Sequence, residues 1–250
     1  VLHRFDSKTR FKSNKRAVSG FFIYGLLSVP FVLLIYEFAI PITTPILTMY
    51  PKFEMFVLVG PVEELGKFLV FYIGAISAGT IREPKDGVLH AASVGLAFSI
   101  IENIMYSIYG IETLLMRSVI STLAHMSLAI IWGYAAGVYL YSKRAGMKAF
   151  DFSLVISSIG IAALFHGLYN FFVVEVGPLT AIIVEIVTVS TALIMINHLD
   201  KVSPFEPIPF HDYREAIPHL KMAIASNPES FILHKRLGLH LLRAGRMNDA

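Results

Sequence analysis

The stretch from Phe53 to Ala78 reads FEMFVLVGPVEELGKFLVFYIGAISA and is apolar along most of its length. As an α-helix rising about 1.5 Å per residue, a run of this length crosses the roughly 30 Å hydrocarbon core of a bilayer. A helix suits such a run because backbone polar groups in lipid must be satisfied within the segment. The stretch therefore predicts a membrane-spanning helix with Glu63, Glu64 and Lys67 near its middle.

Five further apolar runs have a similar length and are separated by stretches that contain proline or glycine. They are Val18–Ile40, Val88–Tyr109, Arg117–Tyr141, Phe152–Val174 and Pro178–Asn197. Only 16% of all residues are charged, whereas soluble domains carry about a quarter. The sequence predicts an all-α fold, a polytopic membrane helix bundle of about six to eight transmembrane helices. Pro41 and Pro45 are interpreted as breakers after a first helix that ends at Ile40.

Basic residues are distributed unevenly around the predicted spans. Eleven lie in the N-terminal segment and in the loops after the second and fourth spans, and two, Lys52 and Arg117, lie on the opposite side. Because cytoplasmic loops are enriched in lysine and arginine, we expect both termini to be cytoplasmic and the protein to be integral to the cell membrane. Residues 1–16 then form a basic cytoplasmic segment and residues 17–199 the transmembrane domain. The net charge of +3 does not suggest nucleic-acid binding.

The last part of the chain, residues 204–250, has an amphipathic helical pattern that resembles the tetratricopeptide repeat. Two successive half-repeats share the phase of this roughly 34-residue unit. Their matching positions are Tyr213, Ala216, Leu220, Ala223, Pro228, Leu237, Gly238, Leu241, Gly245 and Ala250. The pattern predicts two antiparallel helices with close contacts at Ala216, Ala223 and Gly238, and a segment truncated within a repeat. An ordinary amphipathic hairpin is the alternative.

The ionisable residues inside the predicted spans share one depth. Counted along helices of alternating direction, Glu63, Glu102, His125 and His166 all lie roughly 10–15 Å below the outer boundary. An ionisable group in a spanning segment costs at least about 2.5–3.5 kcal/mol, so each is a candidate for function. Taken singly, each has a structural alternative, such as a buried ion pair or a hydrogen bond between helices. Glu185 has a similar depth, and a structural or lining role is expected for it.

Helical spacing predicts the contacts of these residues. Glu63 and Lys67 are four residues apart and can pair, which leaves Glu64 for another role. His166 and Asn170 also share a face, so Asn170 can orient the imidazole or hold a substrate carbonyl.

Four short motifs on successive spans together resemble the PrsW family of intramembrane proteases. They are EExxK at Glu63, Glu64 and Lys67; FxxxEN at Phe98, Glu102 and Asn103; His125 in the fourth span; and HGxxN at His166 and Asn170. The resemblance covers about Phe53 to Phe172. The family is distantly related to the CAAX-processing and Abi membrane proteases. Lys67 lies one residue before the arginine of those proteases, and Glu102 stands where they have histidine.

The resemblance implies hydrolysis of a peptide bond in a membrane-anchored protein, such as an anti-sigma factor, near the extracytoplasmic side. Residues 17–199 would be the protease domain, and the C-terminal repeats would bind a cytoplasmic protein partner. The implied catalytic residues are Glu63, Glu64, His125, His166 and Asn170, supported by Lys67, Phe98 and Asn103.

Two mechanisms remain open from the residues. In the first, Glu63 or Glu64 activates water together with a histidine, and no metal is needed. In the second, Glu102, His125 and His166 hold Zn²⁺, which activates the water. Two other functional classes are a proton- or metal-coupled transporter, since buried Glu and His residues also form relays, and a non-catalytic membrane scaffold that displays cytoplasmic repeats.

Overall fold

The computed structural model of the protein describes residues 15–144, 151–202, 213–226, 228 and 231–245. Within these ranges the chain forms eight α-helices: α1 (Lys15–Met49), α2 (Gly60–Ala78), α3 (Pro84–Tyr106), α4 (Ile111–Arg144), α5 (Phe152–Phe171), α6 (Pro178–Val202), α7 (Tyr213–Ser226) and α8 (Phe231–Arg243). The predicted all-α membrane bundle is confirmed. The predicted N-terminal segment 1–16 lies almost wholly outside the described residues.

Five helices are long and apolar enough to cross a membrane. They correspond to Arg16–Met49, Pro84–Tyr109, Ile111–Arg144, Phe152–Val176 and Leu179–Leu199. The helix α2, which forms most of the stretch first quoted, has 19 residues and contains Glu63, Glu64 and Lys67. It packs against α1, α3, α4 and α5. The other helices therefore shield its charged residues from lipid, while they expose large apolar side chains such as Ile42 and Ile194 on their outer faces.

The first helix does not end at Ile40. It continues to Met49 through Pro41 and Pro45, so the interpretation of these prolines as breakers is wrong. Prolines are tolerated within membrane helices because hydroxyl side chains and neighbouring helices satisfy the backbone. In the turn between the two prolines, Thr43 and Thr44 add hydrogen bonds to the helix by donating to the carbonyl oxygens of Ala39 and Ile40, at 3.0 and 2.7 Å.

The predicted second span is also irregular at its start. A 3₁₀ turn (Pro51–Phe53) and a π-helical stretch (Met55–Val59) come before α2. The fourth helix begins at Ile111 rather than at Arg117, so Arg117 lies inside it. Both differences matter for the site, because they place Met55 against α5 and Arg117 beside α3.

Close approach between α2 and α5 depends on two glycines. A Cβ atom added at Gly167 would lie 2.6 Å from the carbonyl oxygen of Met55 and 2.9 Å from a ring carbon of Phe56. One added at Gly60 would collide with the carbonyl oxygen of Ala163. The glycine of the HGxxN motif is thus required for packing, and it lies directly after His166.

The described part of the tail is a helical hairpin. Ala216, Leu220 and Ala223 of α7 pack with Leu233 of α8, and all four side chains are buried. A Cβ added at Gly238 would meet nothing within 4 Å, so the expected close contact at Gly238 is wrong. The hairpin rests on the membrane domain, because the hydroxyl of Tyr141 on α4 lies 2.7 Å from Nδ1 of His219.

Two glycines on α5 allow a matched test of the close approach. We expect Gly167→Val to lower the free energy of unfolding by about 1–3 kcal/mol, because its side chain must displace backbone of the π-helical stretch. Gly160→Val is the control, since a Cβ there meets nothing within 4 Å. Thermal unfolding in detergent measures both. An equal effect of the two variants would contradict this account of the packing.

Candidate functional site

The site is built around α2, which buries Glu63, Glu64 and Lys67 completely or nearly so. The carboxylate of Glu64 has three partners from three helices. Its Oε1 accepts from the ammonium of Lys67 at 2.6 Å and lies 2.9 Å from Nδ1 of His166. Its Oε2 accepts from the indole nitrogen of Trp132 at 3.0 Å. Glu64 therefore connects α2 with both α4 and α5.

The expected pair between Glu63 and Lys67 is replaced by a pair between Glu64 and Lys67. Residues three and four apart on a helix are both neighbours, so spacing alone does not choose between the two carboxylates. The choice follows from the surroundings, because Trp132 and His166 also converge on Glu64. Glu63 is consequently the carboxylate without a lysine partner.

Glu63 lies on the other side of the same histidine. Its Oε2 is 3.7 Å from Nε2 of His166, and the hydroxyl of Tyr36 donates to its Oε1 at a long 3.4 Å. The Oε2 atom is buried and has no hydrogen-bond partner among the described residues. A buried polar atom without a partner is costly, so this oxygen has spare capacity for a ligand or a proton.

His125 on α4 is held between two charged groups. Its Nδ1 lies 3.1 Å from the ammonium of Lys67, and its Nε2 lies 2.6 Å from Oε2 of Glu102 on α3. The imidazole also packs against the ring of Phe98, with centroids 5.3 Å apart. Glu102 and Phe98, two members of the FxxxEN motif, thus contact His125 directly.

Arg117 is a site residue that the sequence analysis did not identify. Its guanidinium lies 2.8 Å from Oε2 of Glu102 and stacks on the ring of Tyr106, 3.8 Å from its centroid. A signal was present, since Arg117 precedes His125 by about two helical turns and so shares its face. Its place near a predicted helix end indicates only a basic residue that reports membrane orientation.

The remaining predicted residues lie at the edge of the site. The amide nitrogen of Asn103 donates to Thr122 Oγ1 at 3.1 Å and joins α3 to α4. Asn170 is half-buried on α5 and makes no hydrogen bond with the described residues, so Glu64 rather than Asn170 contacts Nδ1 of His166. Glu185 on α6 is buried, and its Oε1 lacks a hydrogen-bond partner in the described part of the chain.

Three of these side chains could hold a metal ion. Glu63, His125 and His166 each offer one ligand atom, and these atoms lie within 4.8 Å of one another. This group includes Glu63 instead of Glu102, which contacts His125 from the side. One carboxylate and two imidazoles are a common ligand set for catalytic zinc. The site also contains three carboxylates and two cationic side chains, Lys67 and Arg117, and this balance favours an added cation.

His125 and His166 differ in how well their surroundings suit a bound metal ion. Glu64 contacts Nδ1 of His166, and Nε2 of the same ring therefore points toward Glu63. Proteins commonly orient a histidine that binds a metal by a carboxylate on its other ring nitrogen. Both nitrogens of His125 already have partners, Lys67 and Glu102. A metal on His125 therefore takes the place of one of these two contacts.

Comparison with known proteins gives one consistent family. A family described as "PrsW family intramembrane metalloprotease" matches residues 13–196, a range that contains every predicted site residue. The chain is 34% identical over 158 residues to "Protease PrsW" of Shouchella clausii, which covers 63% of this chain and 69% of that protein. No solved structure matches the chain.

Two further relatives have the same name. "Protease PrsW" of Bacillus subtilis is 32% identical over 121 residues, 48% of this chain and 53% of the relative. That of Clostridioides difficile is 32% identical over 121 residues, 46% of this chain and 50% of the relative. The chain thus spans about half the length of these two relatives.

The ion pair at the centre of the site can be tested by stability. We expect Lys67→Met to lower the free energy of unfolding by about 3–5 kcal/mol, because it leaves the buried carboxylate of Glu64 without its cation. The double variant Lys67→Met/Glu64→Gln should recover most of this loss, since it removes both charges. Thermal unfolding in detergent completes the cycle. An unaltered stability of Lys67→Met would show that the pair is not formed.

Proposed function

Because the chain belongs to the PrsW family of intramembrane metalloproteases, we propose that it cleaves a membrane-anchored protein with water activated between Glu63, His125 and His166. The prediction of an intramembrane protease is confirmed at the level of the family. The convergence of these three side chains within 4.8 Å is the observation that carries the assignment of the site. The bond cleaved and the role of each residue are proposals.

The contacts of the two neighbouring carboxylates suggest separate roles. Glu64 has its charge compensated by Lys67 and holds Nδ1 of His166, so we assign it a positioning role. Glu63 has an oxygen without a partner that faces Nε2 of the same histidine, so we assign Glu63 to the reactive centre, as a metal ligand or, without a metal, as the base that accepts the proton of the attacking water. His166 then lies between a carboxylate that orients it and a carboxylate that reacts.

Glu63, His125 and His166 would hold a metal ion, for which Zn²⁺ is the natural candidate. When bound, the ion would polarise the scissile carbonyl and activate water as a nucleophile. The chain's own residues do the remaining work. Arg117 fixes Glu102, and Glu102 orients His125. Asn170, half-buried one turn after His166, is available to donate its amide to the substrate carbonyl.

The side of the membrane at which cleavage occurs follows from the basic residues. Eleven basic residues lie in the N-terminal segment and in the loops beside Arg82 and Lys143, so this end of the bundle is assigned to the cytoplasm. The site lies nearer the opposite end, which fits cleavage on the extracytoplasmic side, and an anti-sigma factor is the kind of substrate that the family resemblance implies. The α7–α8 hairpin would then be cytoplasmic and, as part of a tetratricopeptide-like array, would bind a protein partner.

Cleavage tests the assignment of the site. We expect new protein N-termini in membranes of cells that produce the wild-type chain, and none of them with Glu63→Gln or His166→Ala. In proteoliposomes with one substrate so identified, these variants should lose about a thousandfold or more in rate. Glu185→Gln is the control, since it is equally buried but lies outside the group of three. Folding is checked by thermal unfolding, and normal cleavage by folded Glu63→Gln and His166→Ala would contradict the proposal in favour of a transporter or a scaffold.

Metal content tests the ligand set independently of cleavage. We expect the purified wild-type chain to bind zinc at a ratio near one and His166→Ala to bind almost none. Glu64→Gln should retain the ligands but bind zinc about 10–100-fold more weakly, because it loses the group that orients His166. Elemental analysis and competition with a chelator measure both. An active, folded wild-type chain that binds no metal would instead support water activation by glutamate alone.

A further inference from the structure

A cavity of about 530 Å³ lies far from the candidate site, at the end of the bundle that carries Lys143 and Arg144. We call this the basic end. The wall of the cavity is formed by α4, α5 and α6, and His219 of α7 lies at its edge. Cavities of about 300–1,000 Å³ are the size that small-molecule sites have.

The cavity exists because α5 and α6 separate toward the basic end. At the other end they pack on each other, through Phe165, Leu168, Phe172, Ala181 and Val184. Toward the basic end each packs on the preceding helices instead. Val155 and Ile159 of α5 join the cluster around Trp132, and Ala192 and Leu199 of α6 join one with Val88 and Ile130. A wedge-shaped gap therefore opens between two helices that face lipid.

The lining changes from apolar to polar along the cavity. Farther from the basic end, the lining includes Ile131 and Ala135 of α4 and Met195 of α6. The hydroxyl of Ser158 there is already used, because it donates to the carbonyl oxygen of Val155 at 2.7 Å. Polar side chains collect toward the basic end, namely Tyr139, Tyr141, Ser142, Asp151, His198 and His219. This gradient fits an amphiphile whose tail points toward the membrane centre.

The polar groups at the mouth are mostly paired with each other. The hydroxyl of Tyr134 lies 3.0 Å from Nδ1 of His198, and that of Tyr141 lies 2.7 Å from Nδ1 of His219. Burial lowers the pKa of His219, so this imidazole is uncharged at neutral pH. Charged side chains there include Asp151, which caps α5 by accepting from the backbone N–H of Ser153, and Lys143, whose ammonium lies 5.9 Å from the ring centroid of Tyr139.

Access is from the lipid side. Leu154 of α5 lines the cavity and is 50% exposed, and its neighbour Ile156 faces outward with 55% exposed. Both residues lie on α5, which is long and apolar enough to cross a membrane, so the opening faces the side of the bundle where lipid is expected. A chain that enters from the bilayer gains no hydrophobic free energy. It gains the dispersion contacts that an empty gap forfeits, and these grow with the fit of the chain to the walls.

We propose that this cavity binds one acyl chain of a membrane phospholipid, with the phosphate of the headgroup beside Lys143 at the basic end. The apolar depth accepts the chain, the tyrosines at the mouth lie at the level of the headgroup, and the lysine compensates the phosphate charge. The bound lipid fills the gap between α5 and α6 and so holds both helices against α4. This assignment does not depend on the proteolytic function.

Neighbouring residues on α6 provide a matched pair for the test. Met195 lines the cavity, whereas Ile194 faces lipid with 69% of its surface exposed. The full chain is purified from bacterial membranes in mild detergent, and bound phospholipid is measured by native mass spectrometry after extended washing. We expect one phospholipid per chain for the wild type and for Ile194→Trp. Met195→Trp fills the cavity, and its occupancy should fall about tenfold.

A second variant covers the case in which Met195→Trp does not fold, as judged by the absence of a thermal unfolding transition. Ala135→Leu occupies the same cavity with a smaller side chain and should also reduce occupancy. Adding back a phospholipid should raise the unfolding temperature of delipidated wild type but not of the folded cavity variant. Any of three results would overturn the proposal. They are loss of all phospholipid from the wild type, retention of as much phospholipid by the folded cavity variant as by the wild type, and retention of a molecule other than a phospholipid.

Discussion

The arrangement of the bundle depends on keeping one carboxylate charged where lipid surrounds the protein. Glu64 is fully buried, and an isolated carboxylate in such surroundings is very costly. The cost is offset only by partners at hydrogen-bond distance, which are Lys67 from its own helix, Trp132 from α4 and His166 from α5. Because the partners come from three helices, their distances fix how α2, α4 and α5 lie relative to one another.

Short polar contacts between helices require backbones that lie close together. Gly60 and Gly167 remove the side chains that would separate α2 from α5, and a Cβ at Gly95 on α3 would collide with the carbonyl oxygen of His125. Small residues are the usual means of close helix packing in membranes, where no hydrophobic force draws helices together. The polar network and the small residues therefore depend on each other. The network supplies the attraction between helices, and the glycines make its distances possible.

The sequence was sufficient to predict the fold class and the placement of Glu63, Glu102, His125 and His166 in one layer of the bundle, where they are neighbours. Helix length, alternating direction and the cost of charge in lipid determine both, and none of these needs knowledge of side-chain orientation. The pairing of Lys67 could not be predicted, because Glu63 and Glu64 are both within reach and the decision depends on Trp132 and His166 from distant parts of the chain. The continuation of the first helix through Pro41 and Pro45 could not be predicted for a related reason. Helix propensities measured in water do not apply where lipid offers the backbone no alternative hydrogen-bond partner. The contact of Arg117 with Glu102 could not be predicted, because membrane orientation already explains an arginine near a predicted helix end.

A purely structural network and a reactive one differ in whether every buried polar atom is satisfied. In the described residues, Glu64 has a complete set of partners, which suits a residue that holds others in place, and both ring nitrogens of His125 are also paired. Glu63 Oε2 has none, although it lies 3.7 Å from Nε2 of His166. Glu185 Oε1 also lacks a hydrogen-bond partner, but it does not belong to the group of Glu63, His125 and His166. In the described residues Asn103 Oδ1 and Arg117 Nε also lack partners, but Glu63 Oε2 is the unsatisfied atom that faces an imidazole and belongs to the group of three, so a water or a cation bound there would complete the network.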